Sequence, residues 1–241
     1  MDGVSAQRSA TPLAAEQSVT VTTDDDPGYA SRAGHKLAGA LDAWGADGPV
    51  VAGRVCLDAG ASTGGFTDVL LRRGAVRVVA IDVGHGQLVD ALRTDSRVDA
   101  REGVNVRYLQ AGDLDPAPSL VVADLSFISL TLVLPSLVAV AAPDADLVVM
   151  VKPQFEVGRD RLGSGGVVRD ARLRADAVMA VARVAIGLGL VVAGVVTSLL
   201  PGPSGNIEYF LWLRRGVTTD TQDMLRSRIE TVVLSSEGVS S

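Results

Sequence analysis

The sequence predicts an α/β protein built on a mostly parallel sheet with helices on both faces, and three observations carry that prediction. From residue 50 onward, short β-branched runs alternate with longer helical stretches, the pattern of strands joined through covering helices. Two of the runs, 119–126 and 145–153, are continuously apolar, as strands buried on both faces are. The last two, 190–200 and 205–215, are separated only by the turn-rich "PGPS" and read as a closing antiparallel hairpin.

Before the alternation begins, residues 1–28 are polar, rich in Ala, Ser and Thr, and carry the acidic triplet Asp24 to Asp26; lacking a core of their own, they read as a flexible tail. "YASRAGHKLAGALDAWG" (29–45) sets Ala33, Leu37, Ala40, Leu41 and Trp44 on one stripe, which predicts a helix packed on the sheet. "GRVCLDA" (53–59) is the first strand, and "GGFTDVLLRRG" a helix that Gly74 ends. "AVRVVAID" (75–82) is the second strand, followed by a helix over "GQLVDALRTD" and a short third strand in "RVDAREG". "SLVVADLS" (119–126) gives the fourth strand, "LTLVLPSLVAVAA" a helix that starts at or kinks around Pro135, and "ADLVVMVKP" (145–153) the fifth strand. "DARLRADAVMAVARVAIGLG" has the strongest helical pattern, and "LVVAGVVTSLL" with "GNIEYFLWLRR" closes the sheet. One domain is expected over 29–216, with a C-terminal helix or tail at 217–241.

Composition narrows the classes of function. At 241 residues, 47% hydrophobic and 21% charged, the chain suits one well-buried domain with sequence to spare. Its apolar runs are short and carry Asp, well below the roughly 18–20 residues that a membrane span requires. "MDGVSAQRSATPLAAEQSVTV" lacks the basic, apolar and small-residue segments of a secretory signal, so a cytoplasmic location is expected. The lone Cys56 sits in the apolar run "VCLDA" and reads as a core thiol, while His35 and His85, without a Cys/His cluster, argue against a metal site. A net charge of −6 counts against nucleic-acid binding, although positive charge gathers between residues 150 and 215.

Two constellations carry chemistry. In "CLDAGASTGGFTDVLL" a strand meets a helix through small residues, Ala59 to Gly65, and glycines there let a ligand approach the backbone beyond the strand's carboxyl end. Asp58 stands at the end of that strand and Asp82 closes the next, where a carboxylate accepts both hydroxyls of a ribose. A nucleoside cofactor follows. The turn departs from the G-x-G-x-x-G of dinucleotide folds, lacks the G-K-[ST] of phosphate loops, and carries a carboxylate at its entrance. Such a site suits a ligand bearing an ammonium and a sulfonium, and S-adenosylmethionine fits.

The second constellation begins with lysine. Of 22 basic residues only Lys36 and Lys152 are not arginine, and a lysine amine, unlike a guanidinium, can give up its proton. Asp124 ends the fourth strand, Lys152 the fifth, and Glu208 falls in the closing hairpin. Ligands bind at the carboxyl ends of strands in this architecture, so Asp124 and Lys152 are expected to face the crevice of the Gly-rich turn, with Lys36 reaching it from the N-terminal helix. Each has a plainer role available: Asp124 a turn cap, Lys152 a partner for Glu156, Glu208 an exposed strand residue, Lys36 a solvated helix charge.

Taken with "SRAGHKL", "AIDVGHGQL", "ADLSFISL", "DLVVMVKPQFEVG" and "LPGPSGNIEYFLWL", residues from about 29 to 215 resemble the haemolysin TlyA family, a branch of the FtsJ-like ribose 2′-O-methyltransferases that act on ribosomal RNA. The resemblance implies a Rossmann-like S-adenosylmethionine-dependent methyltransferase fold with a seven-stranded sheet. It implies methyl transfer to a ribose 2′-hydroxyl of ribosomal RNA, with cytidine as the nucleoside and ribosomal RNA or a ribosomal subunit as partner. It carries a catalytic Lys-Asp-Lys-Glu tetrad onto Lys36, Asp124, Lys152 and Glu208. The cofactor set expected is Asp58, Gly60, Ser62, Thr63, Gly64, Gly65, Phe66, Asp82, Asn105 and Asp124. Family members usually begin with a small RNA-binding domain, and "MDGVSAQRSATP" looks like its last strand and exit, so residues 1–28 are expected to be a remnant of it.

On the substrate side, "VGRDRLGSGGVVRDARLR" supplies arginines around a Gly-rich loop that suits a phosphate backbone. Arg32, Phe127, Phe155, Arg159 and Arg161 are the expected substrate contacts, the two phenylalanines holding a flipped nucleotide. The competing readings are a nucleotide-dependent oxidoreductase and a non-catalytic RNA-binding or haemolysin-type protein. The spelling of the Gly-rich turn opposes the first, and an intact tetrad has no purpose in the second.

Overall fold

Seven short strands, most of them rich in Val, Leu and Ile, form one sheet: β1 (Val55–Ala59), β2 (Arg77–Asp82), β3 (Val98–Glu102), β4 (Leu120–Ala123), β5 (Asp146–Val151), β6 (Leu190–Thr197) and β7 (Tyr209–Arg215). The computed structural model describes residues 28–217 and 219–236, so nearly all of the expected tail at 1–28, and residues 237–241, lie outside the described residues. The strand order is β3-β2-β1-β4-β5-β7-β6. β1 to β5 run parallel and β7 runs antiparallel to both its neighbours, as the hairpin reading required. Strand order reverses between β1 and β4, and such a reversal opens a crevice at the carboxyl ends of the strands.

Consecutive strand residues point to opposite faces, and each face has its own core. Cys56, Val78, Val122 and Met150 pack beneath the helices α1 (Arg32–Trp44), α2 (Gly65–Arg72) and the short α3 (Asp90–Arg93), whose Leu37, Leu41, Val69, Leu70 and Leu92 complete that layer. Leu57, Val79, Val121 and Val149 face the other way, covered by α4 (Leu130–Val140), α6 (Ala171–Gly187) and α7 (Gln222–Ser235). A single turn, α5 (Pro153–Glu156), follows β5 with proline in its first position, where the missing N–H costs nothing. Helix α7 buries Leu225, Ile229 and Val233 against α6 and β6. Among the described residues no helix is long and apolar enough to cross a membrane.

Three local expectations change. The helix expected over 86–95 shrinks to the four residues of α3 because the chain before it is tied to the sheet: Asp82 Oδ1 accepts from the Gly84 N–H at 2.7 Å and Glu102 from the Gly86 N–H at 2.8 Å. Helix α4 begins at Leu130, capped by Ser129, and continues through Pro135 rather than starting there. Glu208 is the residue before β7 and is 1% exposed, so the plainer role of an exposed strand residue is excluded.

Candidate active site

The Gly-rich turn is shaped by contacts that side chains would block. Gly60 has φ +88°, and a Cβ there would lie 2.5 Å from the Asp124 carbonyl oxygen, so glycine lets the ends of β1 and β4 touch. Ser62 is held in the left-handed region (φ +47°) by its N–H, which donates to Asp82 Oδ2 at 2.8 Å. Gly60, Ser62, Asp82, Asn105 and Asp124 line a cavity of about 510 Å³ whose remaining wall includes the apolar Val83, Leu125 and Ile128. Thr63, Gly65 and Phe66 line a smaller recess shared with Asp124 and Lys152. Gly64 opens α2 and faces Leu88 and Leu92 instead.

Asp58 lies beneath the turn and lines neither space. Its Oδ2 accepts from Thr67 Oγ1 at 2.7 Å, while Oδ1 is buried without a hydrogen-bond partner. Burial pushes its pKa up to about 7, against the lowering effect of the Thr67 hydrogen bond, and the nearby Asp124 and Asp82 add to the rise. A raised folded-state value means that this residue's contribution to stability is whole below the unfolded carboxylate pKa of about 4. It is lost as pH climbs through about 7. Unfolding free energy in urea should therefore fall by about 2 kcal/mol between pH 4.5 and pH 8 on this account, the ideal linkage value being cut by relaxation around the charge. Asp58→Asn should flatten that slope; an unchanged slope would assign the pH dependence elsewhere.

The four tetrad residues form two ion pairs. Lys36 Nζ donates to Glu208 Oε2 at 2.6 Å, both side chains almost fully buried. Lys152 Nζ lies 2.6 Å from Asp124 Oδ1, yet that oxygen accepts no hydrogen bond, so the contact is close but poorly aligned; the aligned hydrogen bond of Lys152 goes to Ser126 Oγ at 2.8 Å. Lys152 and Glu208 line one cavity of about 640 Å³, with Ser126, Phe127 and Phe155. Asp124, Ser126 and Phe127 also line the cavity of Asp82. The two spaces thus meet at the loop after β4, with Lys152 beside the junction. Lys36 stays behind Glu208 and lines neither cavity, short of the crevice it was expected to reach.

Glu156 does not pair with Lys152. It caps α4 across the loops, accepting from the Leu130 N–H at 2.8 Å and from Ser129 Oγ, so the loops after β4 and β5 are bridged at their far ends as well as through Lys152. Burial pushes its carboxyl above the usual range. Between these bridges Phe127 and Phe155 touch, ring centroids 5.2 Å apart. Phe127 is 91% exposed and holds φ +64°, a conformation that bulky residues avoid and that marks stored strain at functional sites. Arg32 and Arg161 are exposed and line neither cavity, and the side chain of Arg159 lies outside the described residues. Ser126 and Gln87, a further lining residue of the Asp82 cavity, were not singled out by the sequence. Cys56 is a buried thiol pushed up to about 12 by desolvation, which makes it a packing residue. Among the described residues no group of three His, Cys, Asp or Glu side chains is placed to hold a metal.

Residues 29–215 match the FtsJ-like methyltransferase family. The chain belongs to that family. It is 56% identical over 214 residues to the 16S/23S rRNA (cytidine-2′-O)-methyltransferase TlyA of Mycobacterium tuberculosis, a match covering 89% of this chain and 79% of that protein. It is 41% identical over 182 residues to Hemolysin A of Brachyspira hyodysenteriae, covering 75% of each. A hemolysin-named structure from Streptococcus thermophilus superposes with a TM-score of 0.81 at 39% identity, over 89% of this chain and 76% of that one. An S-adenosylmethionine dependent methyltransferase of Mesorhizobium loti shares the fold alone, with a TM-score of 0.51 at 14% identity over 73% of this chain and 96% of that one. The mostly parallel seven-stranded methyltransferase sheet expected from the sequence is the one observed.

Proposed function

We propose that this FtsJ-like methyltransferase moves a methyl group from S-adenosylmethionine to a ribose 2′-hydroxyl of ribosomal RNA, with cytidine as the target and residues 29–216 as the catalytic domain in the cytoplasm. The observation that supports it best is the position of Lys152, at the junction between a cavity suited to a nucleoside and one open to a second substrate. The donor chemistry fits the cofactor: Asp82 accepts from a ribose diol, and Val83, Leu125 and Ile128 offer an apolar wall to a base. Asn105 completes the nucleoside end of that cavity. When bound, S-adenosylmethionine supplies an electrophilic methyl group on a sulfonium.

The protein's task is to align the hydroxyl oxygen for in-line attack and to take its proton as the bond forms. Lys152 is the base. Ser126 Oγ accepts a hydrogen bond from its amine, and the Asp124 carboxylate beside it balances the ammonium that proton transfer creates. Glu208 faces the same cavity with Lys36 fixed behind it, so this second pair shapes the wall against which the ribose rests. Phe127 and Phe155 stack on the flipped base, and Arg32, Arg159 and Arg161 meet the phosphate backbone.

Mass spectrometry of ribosomal RNA incubated with the protein and isotope-labelled S-adenosylmethionine tests the whole reading: label on a cytidine ribose is expected, and label on a base, or none, overturns it. Phe127→Ala should lower kcat/KM for RNA by about tenfold or more, one stacked base being worth about 1–3 kcal/mol, with circular dichroism showing the variant folded. An undiminished kcat/KM would remove Phe127 from the substrate site.

A further inference from the structure

We infer that Gln87 is a cofactor-binding residue: its side-chain amide N–H donates to a ribose hydroxyl whose own proton goes to Asp82. The inference rests on the nucleoside reading of the 510 Å³ cavity, whose wall holds both residues. Gln87 belongs to the loop between β2 and α3 that the sequence pattern predicted as helix, and that loop is pinned instead to Asp82 and Glu102. Being pinned, it delivers a neutral amide to the cavity edge.

The amide takes one orientation in the structure. Gln87 Oε1 accepts from Ser62 Oγ at 3.2 Å, which turns Nε2 away from the Gly-rich turn. Nε2 then lies over Gly84: a methyl group added to Gly84 would be 2.3 Å from Gln87 Nε2 and 3.2 Å from Asp82 Oδ1. A donor and an acceptor therefore flank one glycine. No residue among those described accepts a hydrogen bond from Nε2, whereas both Asp82 oxygens already accept one backbone N–H each, from Ser62 and Gly84.

Ribose chemistry needs both kinds of group. Each hydroxyl donates once and accepts, and a carboxylate only accepts. Asp82 serves the hydroxyl protons and leaves the hydroxyl oxygens without a donor. Gln87 Nε2 supplies one. A side chain at residue 84 would displace the Gln87 amide from its place beside Asp82.

Calorimetric titration of the full chain with S-adenosylhomocysteine and with its 2′-deoxy and 3′-deoxy analogues separates the possibilities. Gln87→Ala should weaken S-adenosylhomocysteine about five- to tenfold, the worth of one hydrogen bond. Against the deoxy analogue lacking the hydroxyl that Gln87 serves, the variant and the wild type should bind equally. Gln87→Glu, which keeps an acceptor but removes the donor and adds charge beside Asp82, should bind more weakly than Gln87→Ala, with circular dichroism showing all three proteins folded. Equal losses against all three ligands, or no loss in either variant, would overturn the assignment. A wild type that binds none of the ligands would instead remove the nucleoside reading on which it rests.

Discussion

Replacing Lys152 by arginine should cut single-turnover methyl transfer by about a thousandfold or more while S-adenosylhomocysteine binds as it does to the wild type. General-base assistance contributes roughly 10²–10⁴-fold, and a guanidinium cannot accept a proton at any working pH. Arginine keeps the positive charge beside Asp124, so loss of rate cannot be put down to an unpaired carboxylate. It also keeps a donor for Ser126 Oγ, which Lys152 contacts at 2.8 Å. The larger fork does alter shape, so Lys152→Met is the companion variant: it removes charge and base together and should be equally slow. The measurement is transfer of labelled methyl from enzyme in excess over RNA, with calorimetry for the cofactor. Transfer near the wild-type rate in Lys152→Arg would leave Lys152 as a charge partner and send the search for a base elsewhere.

What the sequence shows of this site depends on the distance over which each residue acts. Strands β4 and β5 are plain in the sequence because burial on both faces writes itself as an unbroken apolar run. The two lysines stand out only because arginine fills every other basic position. Their pairing does not. Lys36 and Glu208 are 172 residues apart, and nothing local distinguishes Lys36–Glu208 with Lys152–Asp124 from the opposite arrangement. Glu156, four residues from Lys152, looks like its partner until α4 is in place with a bare N-terminus beside it. Asp58 was expected at the entrance of the turn, yet the period of two along β1 puts it on the side of Cys56, facing α2, where Thr67 holds it. Ser126 and Gln87 escaped notice because neutral polar residues carry no charge pattern. Their roles come from where Lys152 and Asp82 stand.

The Lys36–Glu208 pair should prove a liability to stability that catalysis requires. Removing one partner, as in Glu208→Ala, strands an ammonium in a site only 7% exposed, and the loss in urea unfolding free energy should be about 3–5 kcal/mol. Desolvating two charges costs nearly as much as their attraction returns, so filling the same space with apolar side chains is often neutral or better. The double variant Lys36→Met with Glu208→Leu should therefore recover most of the stability lost by Glu208→Ala. It should not recover methyl transfer, because Glu208 and Lys152 line the same cavity. Folding and function then separate in one comparison. If the double variant is as unstable as Glu208→Ala, the pair is a structural strut between α1 and β7; if it is both stable and active, the tetrad reduces to Lys152 and Asp124.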